Sequence, residues 1–78
     1  MEALEITTQV DARGLSCPMP IVRTAQAAKP LASGAVIEVL ATDPGSVKDF
    51  TAWCRSTGNT LVEQTADGAV YRFVIRRK

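Results

Sequence analysis

The residues best suited to chemistry stand in one short run, "GLSCPMPIVR", residues 14–23. Cys17 sits between a turn at Gly14 and the prolines Pro18 and Pro20, with an apolar run directly after. A thiol in such a frame can act as a nucleophile, a redox group or a carrier of a transferable atom. A CxxC redox pair would need its second cysteine at position 20, where Pro20 stands. The chain has no histidine and one other cysteine, Cys54. Cys–His catalysis, His-containing zinc sites and a Cys₄ site are therefore excluded within the chain, and neither a metal nor another cofactor is expected. Whatever Cys17 does must draw on local backbone, a nearby charge or a partner's groups. The plainer reading is a small apolar residue that happens to cap a helix.

Residue order places Cys17 at the N-cap of a helix with Pro18 at its first position, where unpaired N–H groups and the positive end of the helix dipole meet. Helix N-termini lower a cysteine pKa, so a thiolate is expected to be stabilised there. Pro18 and Pro20 carry no N–H, which leaves Met19 and Ile21 as donors and routes stabilisation of the sulfur mainly through Met19 N–H. The prolines also stiffen the turn and fix the direction of the thiol. Arg13 and Arg23 are the nearest cations in sequence. Arg23 falls on one helix face with Met19, a stripe suited either to partner docking or simply to solvent. Asp11 fits a turn-capping carboxylate. Cys54 follows Val47 and Phe50 at helical spacing and reads as core, with a resolving partner for Cys17 as the sharper alternative.

The elements that must hold these residues follow from periodicity. Leu4, Ile6, Thr8 and Val10 alternate with polar residues, as in a half-buried strand. After "DARGLS", where Gly14 accepts a backbone angle other residues resist, a helix begins at Pro18. Ile21, Val22, Ala25 and Ala28 share its expected inner face, with Met19, Arg23 and Gln26 on another, and Pro30 with "ASG" ends it. "AVIEVLA", residues 35–41, is almost continuously apolar and reads as an interior strand with a parallel neighbour. "TDPGSVKDF" opens a second helix with Asp43 as N-cap and Pro44 at the first position; Gly58 stops it. "TLVEQT" and "AVYRFVIR" form two strands joined across Asp67-Gly68. The order β-α-β-α-β-β, with right-handed crossovers, predicts an α/β two-layer sandwich: a four-stranded mixed sheet with both helices on one face. Residues 1–78 read as a single domain.

Composition narrows the setting. Two cysteines in 78 residues do not make a disulfide scaffold, which favours a reducing, cytoplasmic location. The N-terminal "MEALEITTQV" is acidic and alternating, unlike a signal peptide. No run approaches the roughly 20 apolar residues of a membrane span. Net charge is +1, too small to create a broad field for nucleic acid. The terminal "RRK" reads as a solvated end, so no direct nucleic-acid contact is expected. No oligomeric state is read from the sequence.

"DARGLSCPMPIVRT" resembles the signature of the TusA/SirA-like sulfur-carrier family: Asp11 near the end of the first strand, Gly14-Leu15, then Cys17-Pro18-Met19-Pro20 opening a helix, with the basic Arg23 six positions after the cysteine. "TDPGSVKDF" and "DGAVYRFVIRR" are similar to the family as well, so the likeness spans essentially the whole chain. It implies the same small β-α-β-α-β-β sandwich. It also implies that Cys17 is the catalytic residue of a sulfurtransferase, taking up sulfane sulfur as a persulfide and relaying it to a partner's cysteine. Gly14, Leu15, Pro18, Met19 and Pro20 would be positioning residues, with Arg13 and Arg23 as candidate docking residues. Implied partners are sulfur donor and acceptor proteins, desulfurase, rhodanese-like or DsrE-like. Implied pathways are tRNA thiolation, molybdenum-cofactor synthesis or sulfur oxidation. Cys54 lies outside the signature. The competing reading is a thiol-based regulatory or redox-sensing module in which Cys17 is oxidised or pairs with Cys54, without sulfur delivery.

Overall fold

The computed structural model describes residues 5–78; Leu4, assigned above to the first strand, lies outside them. The elements are β1 (Thr8–Ala12), α1 (Met19–Ala28), β2 (Val36–Ala41), α2 (Ser46–Thr57), β3 (Thr60–Asp67) and β4 (Val70–Arg76). One sheet takes the strand order β1-β2-β4-β3. β1 pairs parallel with β2, Val10 opposite Val39, and β2 pairs antiparallel with β4, Val39 opposite Phe73. The fold is the expected mixed-sheet sandwich, with β4 inserted between the two strands that α2 connects.

Alternation decides which side chains face the helices. Val10 and Ala12 of β1, Ile37, Val39 and Ala41 of β2, and Phe73 and Ile75 of β4 form one buried cluster with Ala28, Phe50 and Cys54 of the helices. Phe50 stacks on Phe73 with ring centroids 4.6 Å apart and meets Trp53 edge-on at 6.3 Å. On the opposite sheet face Arg72 bridges Glu38 and Glu63, and Gln9 donates to Glu38.

Four local expectations are corrected. β1 starts at Thr8 rather than at the N-terminal end of the alternating run, and Ile6 is exposed. Its ladder cannot run further because β2 begins only at Val36, which Thr7 N–H already reaches at 2.8 Å. The inner face of α1 is turned toward Pro20, Thr24 and Ala28, while Val22 is exposed. Apolar counting overlooks Thr24 because its hydroxyl donates to the Pro20 carbonyl at 2.8 Å, which lets a polar side chain sit in the core. Asp43 and Pro44 do not open α2. Its N-cap is Gly45, without a side-chain cap, and Ser46 N–H bonds the Asp43 carbonyl at 3.0 Å. The hairpin loop is Gly68-Ala69, since Asp67 and Val70 are the closing pair. Gly58 does end α2, at φ 80°, with its N–H on the Cys54 carbonyl at 2.9 Å.

Candidate functional site

The loop between β1 and α1 is fastened at several points to the C-terminal end of the parallel strand pair. Asp11 and Arg13 close on each other: the guanidinium donates to both carboxylate oxygens at 2.8 and 2.9 Å, and Arg13 N–H adds a bond to Oδ1 at 3.2 Å. These bonds hold the Asp11 carboxyl down at about 2 and raise the Arg13 guanidinium. Asp11 is thus the turn-holding carboxylate anticipated from sequence. Gly14, at φ 80°, donates to Thr42 Oγ1 at 2.9 Å, and Leu15 packs against the core. Thr42 follows β2 directly, so the loop before Cys17 is tied to the loop that leads into α2.

Cys17 is exposed and lies one residue before the Pro18 N-cap of α1, across a cis Cys17–Pro18 bond. It does not cap the helix itself. Met19 N–H is also not free for the sulfur, because it bonds the Ser16 carbonyl at 2.9 Å. Pro20 is buried, whereas Pro18, Met19 and Arg23 are exposed. Arg13, bound by Asp11, and Arg23 are both absent from the charges acting on the thiol, which come from Asp49 and Asp43.

Those two carboxylates are the site residues that sequence reasoning missed. Asp43 Oδ2 accepts the Cys17 backbone N–H at 3.2 Å, and Asp49 stands in the first turn of α2. The Cys17 sulfur and one oxygen of each carboxylate lie within 4.8 Å of one another. As a hydrogen-bond acceptor for the thiol, Asp49 is the main influence raising the Cys17 pKa above its ordinary value, followed by partial desolvation and then the negative charges of Asp49 and Asp43. This runs against the stabilised thiolate expected from sequence: Cys17 does not occupy the helix cap, and its surroundings are a carboxylate acceptor and a second anion, which favour the protonated thiol. The only hint in the sequence is a pair of aspartates flanking the start of α2.

Among the described residues, Cys17, Asp43 and Asp49 are also the group whose donor atoms lie close enough to hold a metal ion, although exposed acidic groups are common without one. Cys54 is 4% exposed, and burial pushes its thiol up to about 11. Both cysteines are free. At the opposite end of the helices an open groove of about 510 Å³ is lined by Ala25, Ala28, Lys29, Trp53, Arg77 and Lys78. A cavity of that size was not anticipated from the sequence.

An exposed cysteine beside the opening turn of the first helix, on a β-α-β-α-β-β sandwich, defines a class of small thiol proteins. Comparison with known proteins identifies the family within it. The family described as Sulfurtransferase TusA matches residues 8–77. A putative sulfur carrier protein, YrkI, of Bacillus subtilis is 52% identical over 68 residues, covering 87% of this chain and 91% of that protein. The sulfur carrier protein TusA of Allochromatium vinosum is 46% identical over 69 residues, covering 88% and 91%. The crystal structure of a SirA-like protein from Desulfitobacterium hafniense superposes with a TM-score of 0.80 at 26% identity, over 90% of this chain and 96% of that one. The chain belongs to the TusA/SirA-like family of sulfur carriers.

Proposed function

We propose that Cys17 carries sulfane sulfur as a persulfide and relays it between partner proteins, with the chain working as one sulfur-carrier domain. The observation that supports this most directly is the contrast between the two thiols. Cys17 is exposed at the edge of the molecule, while Cys54 is in the core. In loading, the Cys17 thiolate attacks the outer sulfur of a donor persulfide, and the donor leaves as a thiolate. In delivery, an acceptor thiolate attacks the outer sulfur on Cys17 and releases the Cys17 thiolate. Each step exchanges one S–S bond for another and needs no external oxidant or reductant.

Neither step requires a deep pocket. Gly14 and Leu15 hold the approach to Cys17, while Pro18 and Pro20 stiffen its exit. Met19 and Val22 are exposed apolar side chains on α1, 40% and 36% accessible. With Arg23, they give a partner a mixed apolar and cationic surface beside the thiol, and Arg13 borders the same loop. Donors of the desulfurase, rhodanese-like or DsrE-like kind, or inorganic polysulfide, fit this chemistry. The acceptor pathway is one of tRNA thiolation, molybdenum-cofactor synthesis or sulfur oxidation, in the reducing cytoplasm.

Intact-mass measurement after incubation with polysulfide tests the reading. The wild type and Cys54→Ser are expected to gain whole sulfur atoms that dithiothreitol removes, and Cys17→Ser is expected to gain none. A wild type that gains no sulfur under conditions that load a known persulfide carrier shifts the assignment to a regulatory thiol.

A further inference from the structure

The carrier thiol stands among anions. Asp49 projects from the first turn of α2 and Asp43 from the loop that precedes it. Their oxygens and the Cys17 sulfur lie within 4.8 Å of one another. The two carboxylates occupy different roles. Asp43 is engaged by the Cys17 backbone N–H at 3.2 Å, so it fixes the main chain at the cysteine. Asp49 accepts no bond from the cysteine backbone; its oxygen lies within 4.8 Å of the sulfur, where a carboxylate favours the protonated thiol. Asp49 is also well placed to remain where it is, because an anion in the first turn of a helix is favoured by the dipole and the free N–H groups. A Cys17 thiolate would therefore form as an additional negative charge at a helix start already supplied with one.

Positive charge that could offset this is engaged elsewhere or does not reach the sulfur. In the β1–α1 loop, Arg13 is bound to Asp11 through both carboxylate oxygens. On α1 the nearest cation in sequence, Arg23, is exposed, and from α2 and the loop before it the charges at the thiol are Asp49 and Asp43. Cys17 N–H is turned toward Asp43 and Met19 N–H toward Ser16, so the neighbouring amides are committed as well.

We propose that Asp49 is a positioning residue for sulfur transfer: its carboxylate holds the proton on the unloaded Cys17, so that attack on a donor persulfide waits until that proton is removed. This inference rests on the relay reading of Cys17 and adds a control to it. The proton leaves to solvent or to a group on the docked donor; the thiolate then forms the new S–S bond and the donor thiolate leaves. Such a carrier is slow with small sulfur compounds at neutral pH and depends on its protein donor for speed.

Two readouts test the role. Alkylation of Cys17 by iodoacetamide as a function of pH reports ionisation without any sulfur chemistry, and sulfur gain from inorganic polysulfide reports loading. Asp49→Asn keeps the shape and removes the charge; Asp49→Ser is the second variant, should the first fold poorly. Asp49→Glu is the conservative rescue. Removal of the charge is expected to move the alkylation midpoint to lower pH. A lower midpoint raises the thiolate fraction at neutral pH, and the accompanying loss of nucleophilicity, with a Brønsted slope of about 0.4–0.5, leaves roughly half of that gain in the rate on a logarithmic scale. Polysulfide loading should accelerate in the same sense at pH 7, with the order reversing above the wild-type midpoint, where both thiols are ionised and the wild-type thiolate is the stronger nucleophile, and Asp49→Glu should restore a wild-type profile. Alkylation profiles that coincide in the wild type and the folded charge-free variants overturn the role of Asp49. A shifted alkylation profile with no sulfur gain in any protein overturns the relay reading instead, and with it any part for Asp49 in transfer.

Discussion

Cys17 and Cys54 carry the same functional group in opposite surroundings, and both are pushed toward the protonated thiol. At Cys17 the cause is carboxylate hydrogen bonding and charge; at Cys54 it is burial. The second case has a consequence for stability. Folded Cys54 holds its proton to about 11, against about 8.5 for a thiol in the unfolded chain. A group whose folded pKa is raised stabilises the fold fully below the unfolded pKa and loses that contribution as pH rises through the folded value. Wild type is therefore expected to lose on the order of 2 kcal/mol relative to Cys54→Ala between pH 8 and pH 11. Urea midpoints of both proteins across that range measure it, and the Ala variant removes effects shared with other titrating groups. Parallel pH dependences would mean that the Cys54 thiolate is tolerated in the fold.

At the scale of elements, α2 is the decisive one, because its start shapes the thiol environment and its end is set by backbone conformation. Gly58 adopts φ 80° and donates its N–H to the Cys54 carbonyl. A Cβ there would also approach Lys78 Cδ to 2.9 Å, a contact that the flexible lysine stem can relieve. Gly58→Ala is expected to cost about 1–2 kcal/mol, the usual cost of an L side chain in this conformation, seen as a lower urea midpoint. Alkylation of Cys17 should be unchanged, since Gly58 lies at the other end of α2. Gly45 is the contrasting case: its φ is an ordinary −71°, but a Cβ would meet Asp43 Oδ2 at 3.3 Å. That oxygen also accepts the Cys17 N–H. The two glycines thus serve the element in different ways, one by its conformation and one by leaving room for the carboxylate that anchors the cysteine loop.

The whole molecule is a thin sandwich, so a few large side chains carry much of the burial. Phe50 and Phe73 are fully buried and stacked on each other. Phe50→Ala is expected to cost about 3–5 kcal/mol, comparable with the entire stability of a domain this size. Trp53 stands 6.3 Å from the Phe50 ring, so its fluorescence should report the change directly. The melting temperature should fall by at least about 12 °C; a drop of only a few degrees would show that the sandwich closes over the missing ring. At this scale the two helices also start at one pole and end at the other. The thiol and its carboxylates occupy the first pole, and the groove with Lys29, Arg77 and Lys78 occupies the second.

The element order and the exposed placement of Cys17 were legible in the sequence because both are local. Period-two strands, helical spacing and the Gly58 stop depend on residues close in the chain. The lack of histidine settled by composition alone which catalytic partners Cys17 could not have. What only the tertiary structure decided was the rotation of α1 and the charge around the thiol. Thr24 enters the core because its hydroxyl finds a carbonyl one turn back, a pairing invisible to apolar counting. The sulfur meets Asp43 across a separation of 26 residues, and Asp49 through the docking of α2 beside the cysteine loop. A helix start by itself favours a thiolate. Folding instead brings a carboxylate acceptor and a second anion within 4.8 Å of the sulfur, and these favour the protonated thiol.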